Sequence, residues 1–269
     1  RATAILNALL GSWGQRGGFF VANKPKLAPY PYPAYPSHAP PGDRRPGEAP
    51  FALEPLTQGL RRATIDGQPY PIRSWIVYGT NLIQAMPQRE QTLRAIDALD
   101  LLVVIDILPA EIAGYADVVL PEASYLERYD DLLAVAWREG GVALRQPVVP
   151  PPGDAKPGFW IARELGLKLG LSQYFPWRDI EDYLAERCRR SGIDLAQLKR
   201  TGFLPTERKP INVEEGLALR FATESGKIQL VSPQLRAAGQ PALPVYTPPL
   251  EPPPFLSFGI VSRCSTASC

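Results

Sequence analysis

The chain has 269 residues, enough for one large domain or two ordinary ones, and its 45% hydrophobic content supports a packed core. Its formal net charge is only +2, and no basic run is interleaved with aromatics, which argues against nucleic acid as a partner. No apolar stretch is long enough to span a bilayer, one histidine (His38) cannot build a catalytic triad or a two-histidine metal site, and Cys188, Cys264 and Cys269 make neither a disulfide framework nor a metal motif.

Ala2–Leu10 reads as a helix stopped by Gly11, after which Gly17-Gly18 turns the chain into a short strand, Phe19–Ala22. Proline, at 31 residues, concentrates in Pro25–Pro55, Pro147–Pro157 and Pro241–Pro254, which read as extended connectors. The first carries Tyr30, Tyr32 and Tyr35. Flexible linkers are poor in aromatics, so it is read as an arm packed on a larger surface. Ile72–Tyr78 is a strand, Gly79-Thr80-Asn81 a turn, Gln88–Ala98 a modestly amphipathic helix and Leu101–Asp106 a second strand. Leu101–Asp106 is apolar on both faces, as expected of a parallel strand covered on both sides. Strand, helix and strand in this order form a βαβ unit. Val118–Leu120 is a third strand ended by Pro121, residues 125–131 are a loop, and Val142–Gln146 is a further strand. Phe159–Leu169 and Ile180–Arg190 are helices, the second ending in a solvated cluster of Arg187, Arg189 and Arg190. Leu217–Ala222 and Lys227–Val231 are expected to form a small β-hairpin around Glu224-Ser225-Gly226.

Open α/β sheets bind ligands beyond the carboxyl ends of their strands. Gly79-Thr80-Asn81 lies at such an end, where backbone N–H groups can meet phosphate oxygens; an ordinary strand-to-helix turn is the alternative. Asp106 ends the next strand. It can accept hydrogen bonds from ribose hydroxyls or a purine amine, or cap the following turn through its own backbone. Asp117 is placed to bond backbone N–H groups where the third strand begins. Glu122, Glu127 and Arg128 lie just beyond that strand, and Glu127–Arg128 reads as a structural ion pair or loop clamp in preference to a catalytic pair. Ser225-Gly226-Lys227 belongs to no phosphate-loop pattern, and no G-x-G-x-x-G is present, which speaks against a dinucleotide dehydrogenase.

Several segments together resemble a known family. Ala116–Arg128, reading A-D-V-V-L-P-E-A-S-Y-L-E-R after the strand Leu101–Asp106, carries most of the likeness. Tyr78-Gly79-Thr80-Asn81 with Met86-Pro87 resembles the loop "G-x-N-P … P", and Gly11 with Gly17-Gly18 resembles "L-x-A-L-x-G … G-G". Phe221–Leu230, followed by Gly239 and Leu243-Pro244-Val245-Tyr246, resembles "F-x-T-x-S-G-K-I-E-L … G … P-L-P-x-Y". The family is the molybdopterin oxidoreductase superfamily of the dimethyl-sulfoxide-reductase type, with nearest resemblance to the catalytic subunits of polysulfide, thiosulfate and tetrathionate reductases. Two local departures stand out: Ala110-Glu111-Ile112-Ala113 replaces a family "T-E-T-A", and Leu82 replaces the proline of Asn-Pro.

The resemblance implies an α/β fold, with a Rossmann-like, open, mainly parallel sheet, flanking helices, Pro-rich connectors and the small hairpin. Residues 1–23 would enter the domain, 24–70 form the arm, 71–200 the cofactor-binding domain, and 201–269 the hairpin and connector towards a C-terminal barrel. It further implies a fragment of a catalytic subunit that binds one guanosine half of a molybdenum bis-molybdopterin guanine dinucleotide cofactor. Gly79, Thr80, Asn81, Asp106, Ile107, Glu111 and Asp117 are the expected cofactor contacts, with no catalytic residue and no metal ligand in this chain. By the same implication the complete enzyme carries a 4Fe–4S cluster in an N-terminal part and reduces a sulfur-oxyanion or polysulfide-type substrate. Its partners would be an iron–sulfur electron-transfer subunit, a membrane-anchor subunit and the missing domains of its own chain. It would lie in the periplasm or on the outer face of the cytoplasmic membrane, and this chain alone would be inactive. A stand-alone nucleotide-binding or interaction module, or a non-functional gene fragment, are the alternatives.

Overall fold

The computed structural model describes residues 2–29, 33–34 and 56–246. The expectations for Tyr30, Tyr32, Tyr35, His38, Cys264, Cys269 and the tail 255–258 lie outside the described residues. The chain divides into two compact units. The larger comprises Lys26–Ala134 and Val142–Leu204; the smaller comprises Arg1–Pro25, Val135–Gly141 and Pro205–Cys269.

The larger unit is built on three parallel strands, β1 (Ser74–Tyr78), β2 (Leu101–Asp106) and β3 (Val118–Pro121), in the order β1-β2-β3. Their β-branched and aromatic residues suit a pleated surface. Ile76 stands opposite Val103 and Tyr78 opposite Ile105, while Ile105 stands opposite Leu120 and Asp106 opposite Pro121. Pro121 is thus the last residue of β3, at a position where the ladder is already ending. Helices α3 (Leu82–Ala85) and α4 (Arg89–Asp97) carry the chain from β1 to β2, and a 3₁₀ turn, Glu111–Tyr115, carries it from β2 to β3. An additional helix, α2 (Thr57–Asp66), precedes β1 within the stretch read as an arm.

Alternation decides which face these helices cover. Val77, Leu102 and Val104 point to one side and pack with Ile83, Ile96 and Ile112, with Trp75, Leu82 and Leu93 around them. Each such buried aliphatic side chain contributes about 1.5–3 kcal/mol. Trp75 Nε1 donates to Thr64 Oγ1 at 3.1 Å, which places α2 on this side as well. The other side carries Ile76, 63% exposed, and Tyr78, 52% exposed. On that side Ile105 of β2 is nonetheless only 5% exposed, so the central strand is buried on both faces, as its apolar run predicts, while β1 is open there.

A second core in the same unit joins Leu132, Val142, Leu144, Trp177, Tyr183, Leu184, Cys188 and Leu198. It is enclosed by α5 (Gly158–Lys168), α6 (Ile180–Ser191) and α7 (Leu195–Thr201). Three short strands, β4 (Leu133–Val135), β5 (Gly141–Ala143) and β6 (Phe203–Pro205), form a sheet in the order β4-β5-β6. Asp179 and Asp194 cap α6 and α7 by accepting from Asp182 N and Gln197 N. Arg189 and Arg190 occupy the last turn of α6 as expected. Arg187 does not join them in solvent: its side chain is 12% exposed and donates to Ala28 O.

In the smaller unit, α1 (Ala2–Leu9) is followed by a bridge between Trp13 and Phe19 in place of the expected strand at 19–22. Those two rings stack at 5.1 Å. Gly18 is required there, since a Cβ would lie 2.1 Å from Ser12 O. The expected hairpin is corrected to a turn: Phe221 N donates to Gly226 O at 3.1 Å, but neither flank is a strand. Helix α8 (Pro233–Ala237) is capped by Ser232. No helix among the described residues is long and apolar enough to cross a membrane.

The junction between α3 and α4 depends on buried Arg61. Its guanidinium donates to Pro87 O at 2.6 Å, Gln88 O at 3.3 Å, Gln88 Oε1 at 3.2 Å and Thr92 Oγ1 at 3.2 Å. Gln88 holds the left-handed backbone conformation, with φ of 59°. Arg61→Met keeps most of the stem and removes every donor. It is expected to destabilise the chain by about 1–3 kcal/mol in urea unfolding; an unchanged midpoint would contradict this role.

Candidate functional site at the carboxyl edge of the parallel sheet

Parallel pairing brings the ends of β1 and β2 side by side. Gly79 N donates to Ile105 O at 2.9 Å, closing the ladder, and Gly79 adopts φ of 61° to turn the chain away. Asn81 caps α3, its Oδ1 accepting from Ile83 N at 3.3 Å. The backbone amides of Thr80 and Asn81 and the Thr80 hydroxyl have no hydrogen-bond partner among the described residues. Next to this loop, Asp106 Oδ1 accepts from Ile107 N at 2.7 Å and from Leu108 N at 3.4 Å. One carboxylate oxygen thus caps its own turn and the other remains available. Ile107 is 48% exposed beside it.

Glu111 reaches the same neighbourhood from the start of the 3₁₀ turn. It pairs with Arg89 Nη2 at 2.6 Å and accepts from Gln84 Nε2 at 3.5 Å. The hydrogen bond from Arg89 holds its carboxyl below the usual range, against a smaller opposing effect of burial; Asn81 and Gln84 act in the same direction as Arg89. Gly79, Thr80, Asn81, Asp106, Ile107 and Glu111 are therefore brought together. Asp117 is not. It stands beside Leu102 and accepts from Leu102 N at 2.7 Å. That is the amino edge of the sheet, about 13 Å from Asp106 at ~3.3 Å per residue.

A charged clamp lies on the other side of the same edge. Glu122, just past β3, has a side chain only 5% exposed, and it accepts from Tyr78 Oη and pairs with Arg128. Arg128 also bonds Asp130 Oδ1 at 2.8 Å and Ala123 O at 2.7 Å, and Asp130 Oδ2 accepts from Arg145 at 2.6 Å. Glu127 instead accepts from Ser124 N at 2.7 Å. The expected Glu127–Arg128 pair is therefore corrected: Arg128 does clamp this loop, but its carboxylate partners are Glu122 and Asp130. Segment 156–157 follows the end of β3, with Lys156 N on Pro121 O at 3.1 Å and Ala123 N on Lys156 O at 2.9 Å, and delivers Gly158 to the clamp. A Cβ at Gly158 would lie 2.5 Å from both Glu122 Oε1 and Tyr78 Oη, so a larger residue would push these two side chains apart from their present positions.

Tyr78, Glu122, Arg128, Phe159, Trp177 and Tyr183 help line a cavity of about 660 Å³ that starts at this clamp. Its walls are largely aromatic, and the turn Gly79–Asn81 is not among them. Sequence reasoning noted Glu122 and Arg128 but not Tyr78 as their partner, which is 44 residues from Glu122. Among the described residues no cluster of three or more His, Cys, Asp and Glu is placed to hold a metal ion.

The donors and acceptors at the β1–β2 edge fit a nucleotide tail. Two unpartnered amides and a hydroxyl suit phosphate oxygens, and a carboxylate oxygen suits the N–H edge of guanine or a ribose diol.

The family model for molybdopterin oxidoreductases matches residues 1–168. The thiosulfate reductase molybdopterin-containing subunit PhsA of Salmonella typhimurium is 33% identical over 202 residues, covering 67% of this chain and 27% of that protein. Acetylene hydratase of Syntrophotalea acetylenica is 28% identical over 187 residues, covering 68% and 25%. The probable oxidoreductase YoaE of Bacillus subtilis is 30% identical over 257 residues, covering 92% and 36%. The solved structure of acetylene hydratase from Pelobacter acetylenicus is similar with a TM-score of 0.60 and 27% identity, over 72% of this chain and 26% of that one. The chain thus spans about a quarter to a third of the length of these relatives.

Two outcomes follow from the clamp. Glu122→Ala leaves Arg128 with Asp130 as its one remaining carboxylate partner and is expected to cost about 2–3 kcal/mol in urea unfolding, below the ~3–5 kcal/mol of a fully buried pair. A loss under about 0.5 kcal/mol would contradict the clamp. Tyr78 is half exposed as a residue, but its hydroxyl is turned onto Glu122; burial first, and the Glu122 carboxylate next, push its pKa up to about 12. A phenol raised above its ordinary 10.0 contributes stability that is complete below pH 10 and is lost as pH rises through about 12. The unfolding midpoint of the wild type should therefore exceed that of Tyr78→Phe at pH 9, with the gap closing above pH 10. A gap that does not change with pH would contradict the contact.

Proposed function

The chain belongs to the molybdopterin oxidoreductase family, and we propose that it is the part of a catalytic subunit that takes one guanosine half of a bis-molybdopterin guanine dinucleotide cofactor. The convergence of Gly79–Asn81 with Asp106 at adjoining strand ends carries this reading. Thr80 and Asn81 would direct their amides at the diphosphate, and Asp106 would accept from the ribose or the guanine edge. Glu111, held ionised and neutralised by Arg89, is bonded by Gln84 and Asn81 as well and so braces the loop that presents those amides. When bound, the molybdenum–pterin group supplies two-electron exchange with substrate; this chain's residues hold and orient its nucleotide tail.

In this proposal the complete enzyme reduces a sulfur-oxyanion or polysulfide-type substrate. The likeness to a thiosulfate reductase subunit supports that choice. The complete subunit would carry its 4Fe–4S cluster in another domain and pass electrons to or from an iron–sulfur subunit and a membrane anchor, on the outer face of the cytoplasmic membrane. This chain by itself would not turn over substrate.

The test is cofactor retention by the complete subunit. Asp106→Ala is expected to lower the guanine nucleotide and molybdenum recovered with the protein by about tenfold, the loss of one charge-assisted hydrogen bond of ~1.4 kcal/mol or more. Asp117→Asn, at the opposite edge, should leave the bound nucleotide unchanged once the protein is folded. Equal retention by Asp106→Ala and wild type, or selective loss in Asp117→Asn, would overturn the assignment.

A further inference from the structure

The aromatic cavity beside the clamp is unassigned. Its lining belongs wholly to the larger unit, and Gly79–Asn81 are not part of it. At about 660 Å³ it has the size of a small-molecule site, and it has the make-up of one, with aromatic walls and a few polar groups at one end. Phe159, Trp177 and Tyr183 meet as the corner of a box. Trp177 stands edge-on to Tyr183, with centroids 4.9 Å apart and planes at 85°, and Phe159 is inclined by 39° to Tyr183 and by 52° to Trp177. Rings set at such angles turn their faces in several directions, and each face is the negative side of a quadrupole. Cations already lie over neighbouring rings: Lys199 Nζ is 5.2 Å from the centroid of Tyr129, another wall residue, and Lys156 Nζ is 5.9 Å from that of Trp160.

The polar end is acidic. Among the described lining residues Glu122, Asp130 and Asp131 face a single guanidinium, that of Arg128. Arg145 and Arg187 pair with Asp130 and Asp131 but do not line the cavity. Each of these acids already accepts from protein donors. Tyr78 donates to Glu122, and Tyr183 donates to Asp131 at 2.8 Å. The oxygens of Asp130 take Arg128 and Arg145, and Asp131 Oδ1 also takes Leu132 N at 2.7 Å. The carboxylates thus supply negative potential with hydrogen bonds already made. An ammonium carrying several N–H groups would lose water there without full replacement. A quaternary ammonium has no N–H to satisfy, and aromatic walls are its usual recognition surface. We propose that this cavity binds a small, free quaternary ammonium ion, its alkyl groups against Phe159, Trp177 and Tyr183 and its charge towards Asp131 and Glu122. The proposal does not rest on the guanosine reading. A free cation fits better than a phospholipid headgroup, whose phosphate would have to lose water beside three carboxylates.

Calorimetric titration of the complete subunit tests it with three probes: choline, its neutral carbon isostere with tert-butyl in place of trimethylammonium, and ethanolamine. Choline is expected to bind with a Kd of about 1 mM or tighter, and about tenfold better than either of the others. Trp177→Leu should weaken choline more than about tenfold. Asp131→Asn keeps an acceptor for Tyr183 at a half-exposed side chain and should weaken it about threefold; it decides alone if Trp177→Leu does not fold. Equal binding of the carbon isostere would overturn the cation, and equal or better binding of ethanolamine would overturn the quaternary class. No choline binding, or choline affinity unchanged in Asp131→Asn, would overturn the cavity as the site. Tighter binding of phosphatidylcholine vesicles or of a trimethyl-lysine peptide than of choline would overturn the free small molecule as occupant.

Discussion

Parallel pairing of β1 with β2 in a single register is the constraint on which the rest depends. With Tyr78 opposite Ile105, the turn after β1 and the carboxylate after β2 emerge as neighbours. The same register sends Val77, Leu102 and Val104 into one core. A slip by one residue would turn that set to the opposite face, where β1 is exposed, so burial enforces the register that builds the site. Helices α2, α3 and α4 supply the cover, and Arg61 ties α2 to the α3–α4 junction through backbone carbonyls, which no apolar side chain could do.

Electrostatics then secures the edge. A carboxylate as buried as Glu122 would be costly without partners, and it has a phenol hydroxyl and a guanidinium. These partners come from β1 and from the loop after β3, and Gly158 brings the start of α5 against the same oxygen. One charged group thus fixes the spacing between the parallel sheet and the aromatic cavity under α5 and α6. The clamp is internally satisfied, so it serves position, while the open donors lie across the edge at Thr80 and Asn81.

Much of this was legible from the residues. Ile72–Tyr78, Leu101–Asp106 and Val118–Leu120 are short β-branched runs bounded by Gly, Asp or Pro, and they became the three strands of one parallel sheet. The helices near 88–98, 159–169 and 180–190 followed from apolar spacing. Helix α2 was hidden because its buried residues are Gly59, Arg61, Ala63 and Thr64, a face too small and polar to show as a periodic stripe. The three-residue strands β4 and β6 are too short to carry a period. The hairpin at 217–231 failed for the opposite reason: its turn chemistry is real, and its flanks pair with nothing among the described residues. Within the site, Asp106 and the Gly79 loop could be set together from the βαβ order. Separating Asp117 from them needed the register, since both aspartates adjoin a strand and only pairing tells which end.

Nuclear magnetic resonance of the 269-residue chain titrated with guanosine diphosphate addresses the central claim most directly. The account predicts weak binding, with the largest amide shifts at Thr80, Asn81, Ile107 and Leu108 and none at Asp117 or Val118. Shifts centred on Asp117, or no shifts at the Gly79–Asn81 loop at millimolar nucleotide, would contradict it.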